Sequence, residues 1–135
     1  MNDRYLYRAK RKDNCEWVFG GLSYCEKTNA YFITNMGKDH ISYICFHQEV
    51  DPESICQCTG LKDNNGNLIW ENDIMEGHLD EEHPEDVTRT RVLWYENGWY
   101  TKEIGIIDYE PLSDFDSENF EVIGNSFGNP ELLEE

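Results

Sequence analysis

Short alternating runs of apolar residues, broken about every ten positions by Asn, Asp and Gly, constrain most what this chain can fold into. A helix needs apolar residues every three or four positions along an unbroken stretch, and no such stretch runs far here. Alternation instead places successive side chains on opposite faces of a pleated strand. The pattern predicts strands at Tyr5–Lys10, Trp17–Tyr24, Tyr31–Thr34 and Ser42–Phe46, with polar turns at Arg11–Asn14 and Glu26–Asn29. These four read as a meander.

The second part has its own punctuation. Asp51-Pro52-Glu53-Ser54 carries a helix-start signal, a capping Asp followed by Pro, but β-type residues from Ile55 to Thr59 limit it to one turn. Leu61–Asp63 and Asn67–Trp70 flank Asn64-Asn65-Gly66, whose residues tolerate the positive φ of a tight hairpin. Asn72-Asp73 makes a corner before a strand at Ile74–Leu79. Asp80–Asp86 reads as an exposed loop, and Thr88–Tyr95 and Trp99–Ile104 as strands joined by Glu96-Asn97-Gly98. In Thr88–Tyr95, Arg89 and Arg91 alternate with Thr88, Thr90 and Val92, which predicts one basic, solvated face. Asp108–Asn119, with Pro111, reads as a second acidic loop. Phe120–Ile123 closes the strands, and Asn129–Leu133 is a capped helical turn.

The expected fold is mainly β, with small antiparallel lobes, barrel-like (SH3-like) or sandwich elements, and short helical turns only. The length suits one domain over 1–135, divisible into a meander at 1–50 and a barrel-like lobe at 51–135, hinged near Val50–Pro52.

Charge bounds the function. Eleven Lys and Arg against 28 Asp and Glu give −17. Residues 1–40 hold seven basic and five acidic groups, or +2; residues 41–135 hold four and 23, or −19. Such a surface repels the phosphate backbone on which non-specific nucleic-acid binding depends, and anionic membranes likewise. No apolar run reaches the ~18 residues of a spanning helix, and the N-terminus lacks a secretory pattern. Five irregularly spaced cysteines (Cys15, Cys25, Cys45, Cys56, Cys58) point to free thiols in a reducing compartment. The expectation is a soluble, cytoplasmic protein.

Several segments resemble the YopX-like family of small phage and prophage proteins. They are Tyr7-Arg8-Ala9, Trp17-Val18-Phe19-Gly20, the string Gln57-Cys58-Thr59-Gly60-Leu61-Lys62-Asp63-Asn64-Asn65-Gly66, the corner Glu71-Asn72-Asp73-Ile74, and the end pattern Phe120–Asn125 with Asn129-Pro130-Glu131-Leu132-Leu133. Cys58 stands where that pattern more often has an aromatic, and Asn72 where it has Gly. Asn is the non-Gly residue best suited to a left-handed corner. The resemblance implies a mostly β fold, a phage or prophage origin, and structural signature positions at Gln57, Thr59, Gly60, Leu61, Asp63, Gly66, Asp73, Gly124, Asn125 and Pro130. It carries no catalytic residue and no assigned activity.

Candidate chemistry is sparse. Cys56 and Cys58 fall on one strand face and could join Cys25, Cys45, His40 or His47 around zinc, but structural zinc sites normally use two wider Cys pairs, so core packing is expected. Asp63–Asn67 begins like a calcium loop, but Leu68 and Ile74 stand where such a loop needs Gly and Glu. Asp114, Asp116 and Glu118 alternate and could hold a divalent cation as in a metal-dependent hydrolase, although no base or basic clamp lies nearby. There is no nucleophile elbow and no phosphate- or dinucleotide-binding glycine loop, so neither catalysis nor a cofactor is expected. Trp94-Tyr95 and Trp99-Tyr100 flank a turn, so each pair sends one ring inward and one outward. The sequence therefore predicts a non-enzymatic accessory protein acting on proteins, either itself or a host protein. The alternatives are an acidic mimic of nucleic acid, using Asp80–Asp86 and Asp108–Glu121, and a metal-dependent hydrolase.

Overall fold

The computed structural model describes residues 5–36, 45–79, 82–83 and 85–134. The chain is mostly β. Its strands are β1 (Tyr7–Lys10), β2 (Trp17–Cys25), β3 (Ala30–Met36), β4 (Cys45–Val50), β5 (Cys56–Lys62), β6 (Leu68–Trp70), β7 (Asp73–Gly77), β8 (Thr88–Tyr95), β9 (Gly98–Glu103), β10 (Tyr109–Pro111) and β11 (Phe120–Asn125). One sheet has the order β4-β3-β2-β1-β5-β6 and the other β10-β9-β8-β7-β11. Each order runs from edge to edge, so neither sheet closes into a barrel among the described residues. No helix among them is long and apolar enough to cross a membrane.

The chain divides into two compact units, Met1–Cys58 and Thr59–Glu135. In the first, β1 to β4 form the expected meander, and β5 returns beside β1 with Arg8 opposite Cys56. Positions 42–44 of the expected fourth strand lie outside the described residues, and β4 continues to Val50 in register with Tyr31. Ala9, Ile33 and Val50 are fully or nearly fully buried, with Tyr7, Val18, Leu22, Tyr31 and Ile55 packed on them. Asp51 caps the 3₁₀ turn Pro52–Ser54 by accepting the Glu53 N–H at 3.0 Å. The buried Ser54 hydroxyl accepts the Lys10 N–H at 2.8 Å, which ties the turn to β1.

The second unit buries Ile69, Met75, Val92 and Phe120, with Leu61, Trp99, Leu112 and Val122 around them. Removing a Phe-sized side chain from water contributes about 2–3 kcal/mol, so this cluster anchors the sheet. The corner expected at Asn72 is present, with φ +70°, and so is the hairpin glycine Gly66, with φ +82°. Asp108–Asn119 departs from expectation. Instead of an open loop it forms the edge strand β10 and a short helix, α1 (Asp114–Asn119). The reason is local: the Asp116 carboxylate accepts the Ser113 N–H at 3.0 Å, which closes the first turn by a capping-box contact.

Candidate functional site

The signature positions assemble a scaffold. Asp63 is almost fully buried at the root of the β5–β6 hairpin. One carboxylate oxygen accepts the N–H groups of Asn65 and Asn67, both at 2.9 Å; the other accepts the N–H of Val122 at 2.9 Å. A single side chain thus closes a turn and fastens β11 to it. Asp73 is buried too and accepts the Trp70 N–H at 2.7 Å. Thr59 donates its hydroxyl to the Ile69 carbonyl and accepts the Leu61 N–H, holding β5 beside Gly60, where φ is +86°. Leu61 packs on the core and Gln57 pairs with Tyr7. Asn125 accepts the N–H groups of Phe127 and Gly128, Pro130 begins the last 3₁₀ turn (Pro130–Leu133), and the Asn129 side chain lies where a Cβ on Gly124 would project.

Among the described residues, the candidate metal ligands named above do not gather in a group of three. Cys56 and Cys58 are both completely buried, and the Cys56 thiol donates to the Ser54 carbonyl at 3.4 Å. Cys25 is held below the ordinary thiol range, first by a hydrogen bond with the Thr28 hydroxyl and then by backbone amides of Thr28 and Lys27. His40 and the side chains of Cys45 and His47 lie outside the described residues. Asp114, Asp116 and Glu118 sit on α1 rather than in an open loop. Positions i and i+4 share a helical face while i+2 points away, so the three do not converge. Asp116 alone turns inward, where burial pushes its carboxyl above the ordinary range against the lowering effect of its bonds from Ser113. Among the described residues, three potential metal ligands gather only at His83, Glu85 and Asp86, all exposed.

The two faces of the β10-β9-β8-β7-β11 sheet differ in chemistry. On the core face, Thr88, Thr90, Thr101, Asp116 and Phe120 line a cavity of about 270 Å³, with Glu103, Asp108 and Glu110 also in its wall. On the other face, strand alternation aligns Arg89, Arg91, Leu93 and Tyr95 of β8 with Tyr100 and Lys102 of β9 and Tyr109 of β10. Arg89 and Arg91 are half-buried rather than simply solvated: Arg89 pairs with Glu76 at 2.9 Å, and Arg91 donates to the Asn72 side-chain oxygen at 2.7 Å.

The rings divide as alternation requires. Trp94 meets Trp99 edge-on, with centroids 5.1 Å apart, and Trp99 packs on the core. On the opposite face Tyr95 stacks flat on Tyr109 at 4.3 Å, and Tyr100 meets both edge-on. Tyr95, Tyr109, Ile106 and Ile107 remain exposed, Ile107 at 83%. Lone exposed apolar residues are ordinary on a protein surface, but this many within two hairpins form a patch of the kind that marks a contact site. The sequence exposed the Trp and Tyr pairs; it did not show that Tyr109, some ten residues further on, completes the cluster.

The family described as YopX protein matches residues 6–134. Among solved structures, the crystal structure of protein EF1440 from Enterococcus faecalis shares the fold with a TM-score of 0.55 at 22% identity, covering 95% of this chain and 96% of that one. No curated protein matches.

Proposed function

The chain belongs to the YopX protein family, and from that premise we propose that it is a phage or prophage accessory protein that acts without catalysis, by protein–protein contact or self-association. The observation that carries this reading is the exposed aromatic patch of β8 to β10. The rings are pre-packed against one another, so binding need not order them, and Tyr supplies large contact area at low entropic cost. The −17 charge supports polypeptide over nucleic acid as the partner, because phosphate polymers are repelled from most of the surface. The carboxylates of α1 diverge, which gives the hydrolase alternative no geometric support.

The test is paired affinity capture from a bacterial host lysate with the wild-type chain and with Tyr95→Ser/Ile107→Ser. A protein retained by the wild type and lost by the variant supports the reading, as does concentration-dependent mass in light scattering that the variant abolishes. Identical capture by both proteins, together with a monomer at every concentration, contradicts it.

A further inference from the structure

Three of the four basic residues in 41–135 (Arg89, Arg91 and Lys102, the exception being Lys62) share the outer face of the β10-β9-β8-β7-β11 sheet. Arg89 is neutralised by Glu76. Arg91 and Lys102 are not: they stand directly opposite each other across β8 and β9, and neither belongs to an ion pair among the described residues. Like charges placed face to face across a ladder repel. Arg91 is bonded through Nη2 to the neutral Asn72 side chain, and its buried Nε–H has no acceptor. Two adjacent cations in a strongly acidic chain are thus left without a carboxylate partner among the described residues.

Those cations line a cavity of about 490 Å³. Its remaining wall is apolar, from Leu93, Ile104, Ile107 and Tyr109, with Leu133 of the C-terminal 3₁₀ turn; Glu103 contributes the single carboxylate. A volume of this size, with an apolar lining and a few polar groups at one place, is the ordinary design of a small-molecule site. Arg91 and Lys102 against Glu103 leave a local charge of +1. One negative charge balances that, whereas a polyanion would meet the acidic remainder of the protein.

We propose that this cavity binds a small amphipathic carboxylate, with its head between Arg91 and Lys102 and its apolar body against Leu93, Ile104 and Ile107. The cavity adjoins the protein-contact patch and shares Ile107 and Tyr109 with it, but Arg91, Leu93, Lys102 and Ile104 lie outside that patch, so small-molecule binding by the isolated chain is read without any protein partner. Arg91 is pre-oriented by Asn72, so the head group meets a guanidinium already fixed at one end. Lys102 closes on the anion from the neighbouring strand.

The test is a titration of the ¹⁵N-labelled full chain with sodium octanoate below its micelle concentration, followed by ¹H–¹⁵N correlation spectra. Saturable shifts at the amides of Arg91, Leu93, Lys102, Ile104, Ile107 and Tyr109 are expected. Lys102→Gln should weaken binding about ten-fold, the usual worth of a charge-assisted bond. Ile107→Ser, at an exposed position that the fold does not need, should also weaken it while acetate shifts stay unchanged. The proposal is overturned if octylamine produces the same saturable shifts, if acetate binds as tightly as octanoate, or if folded Lys102→Gln binds octanoate as the wild type does.

Discussion

Replacing Asp63 by Ala removes the acceptor of three backbone N–H groups at once, those of Asn65, Asn67 and Val122, each at 2.9 Å. Hydrogen bonds to a charged acceptor contribute about 1.5–3 kcal/mol each, and donors left buried without partners add to the loss. The three share one carboxylate, so they do not sum fully; about 4 kcal/mol is the expected cost. A domain of this size has about 5–15 kcal/mol in total, so the variant should stand near the edge of folding. Asp63→Asn offers the same shape with one acceptor oxygen. It can keep the turn bonds or the Val122 bond but not both, and its amide then faces an N–H as a second donor. About half the loss should remain. Urea unfolding followed by tryptophan fluorescence measures this directly, as a fall in midpoint at unchanged slope. A loss under about 1 kcal/mol for Asp63→Ala would refute the view that this side chain fastens β11 to the hairpin.

Three further outcomes follow from the same geometry. Gly124→Ala should destabilise by about 1–3 kcal/mol, because a Cβ there would come within 2.7 Å of Asn129 Cγ; combining it with Asn129→Ala should recover much of the loss in the same urea assay. Asn72→Val should cost about 1–2 kcal/mol at φ +70°, where a branched residue is strained, whereas Asn72→Gly should stay within about 1 kcal/mol, the backbone relief offsetting the lost bond to Arg91. Asp116 gives a pH signature. Its folded carboxyl holds the proton above the ordinary carboxylate range while the unfolded one has released it. The native state binds more protons in that window, so this group lowers stability as pH rises through it, and Asp116→Asn should remove that part of the pH dependence in denaturation curves collected from pH 3.5 to 7.

The parts of this fold that a reader of the sequence could see are those set by neighbours in the chain. Asn64-Asn65-Gly66 announced its hairpin because few residues tolerate the positive φ found at Gly66, and the Asn72 corner followed from the same restriction; the hairpin at Glu96-Asn97-Gly98 formed as well, but with its positive φ on Glu96. Alternation required one ring of Trp99-Tyr100 to face inward and one outward; which one was settled only by the packing, with Trp99 on the core. The short helix α1 was equally local but was hidden. Its signal, Ser113 with Asp116 three residues on, lay inside a run of acidic residues that reads as solvated loop. What depends on distant partners was not legible. The bond of Asp63 to Val122 joins residues 59 apart, and the stacking of Tyr95 on Tyr109 requires β10 to add at the edge of β9. Arg89 and Arg91 looked like a solvated basic stripe because nothing in the sequence places Glu76 and Asn72 beside them. A count of the four cations beyond residue 40 would have singled out Lys102, although not its position opposite Arg91.

Hydrogen–deuterium exchange tests the contact surface most directly, comparing the chain alone with the chain bound to its captured partner, or dilute with concentrated protein where it binds itself. The tyrosine-face account predicts added protection at amides of Trp94–Tyr109, with β2 and β3 unchanged. Protection that appears on β2 and β3 while Trp94–Tyr109 exchanges as before would contradict it.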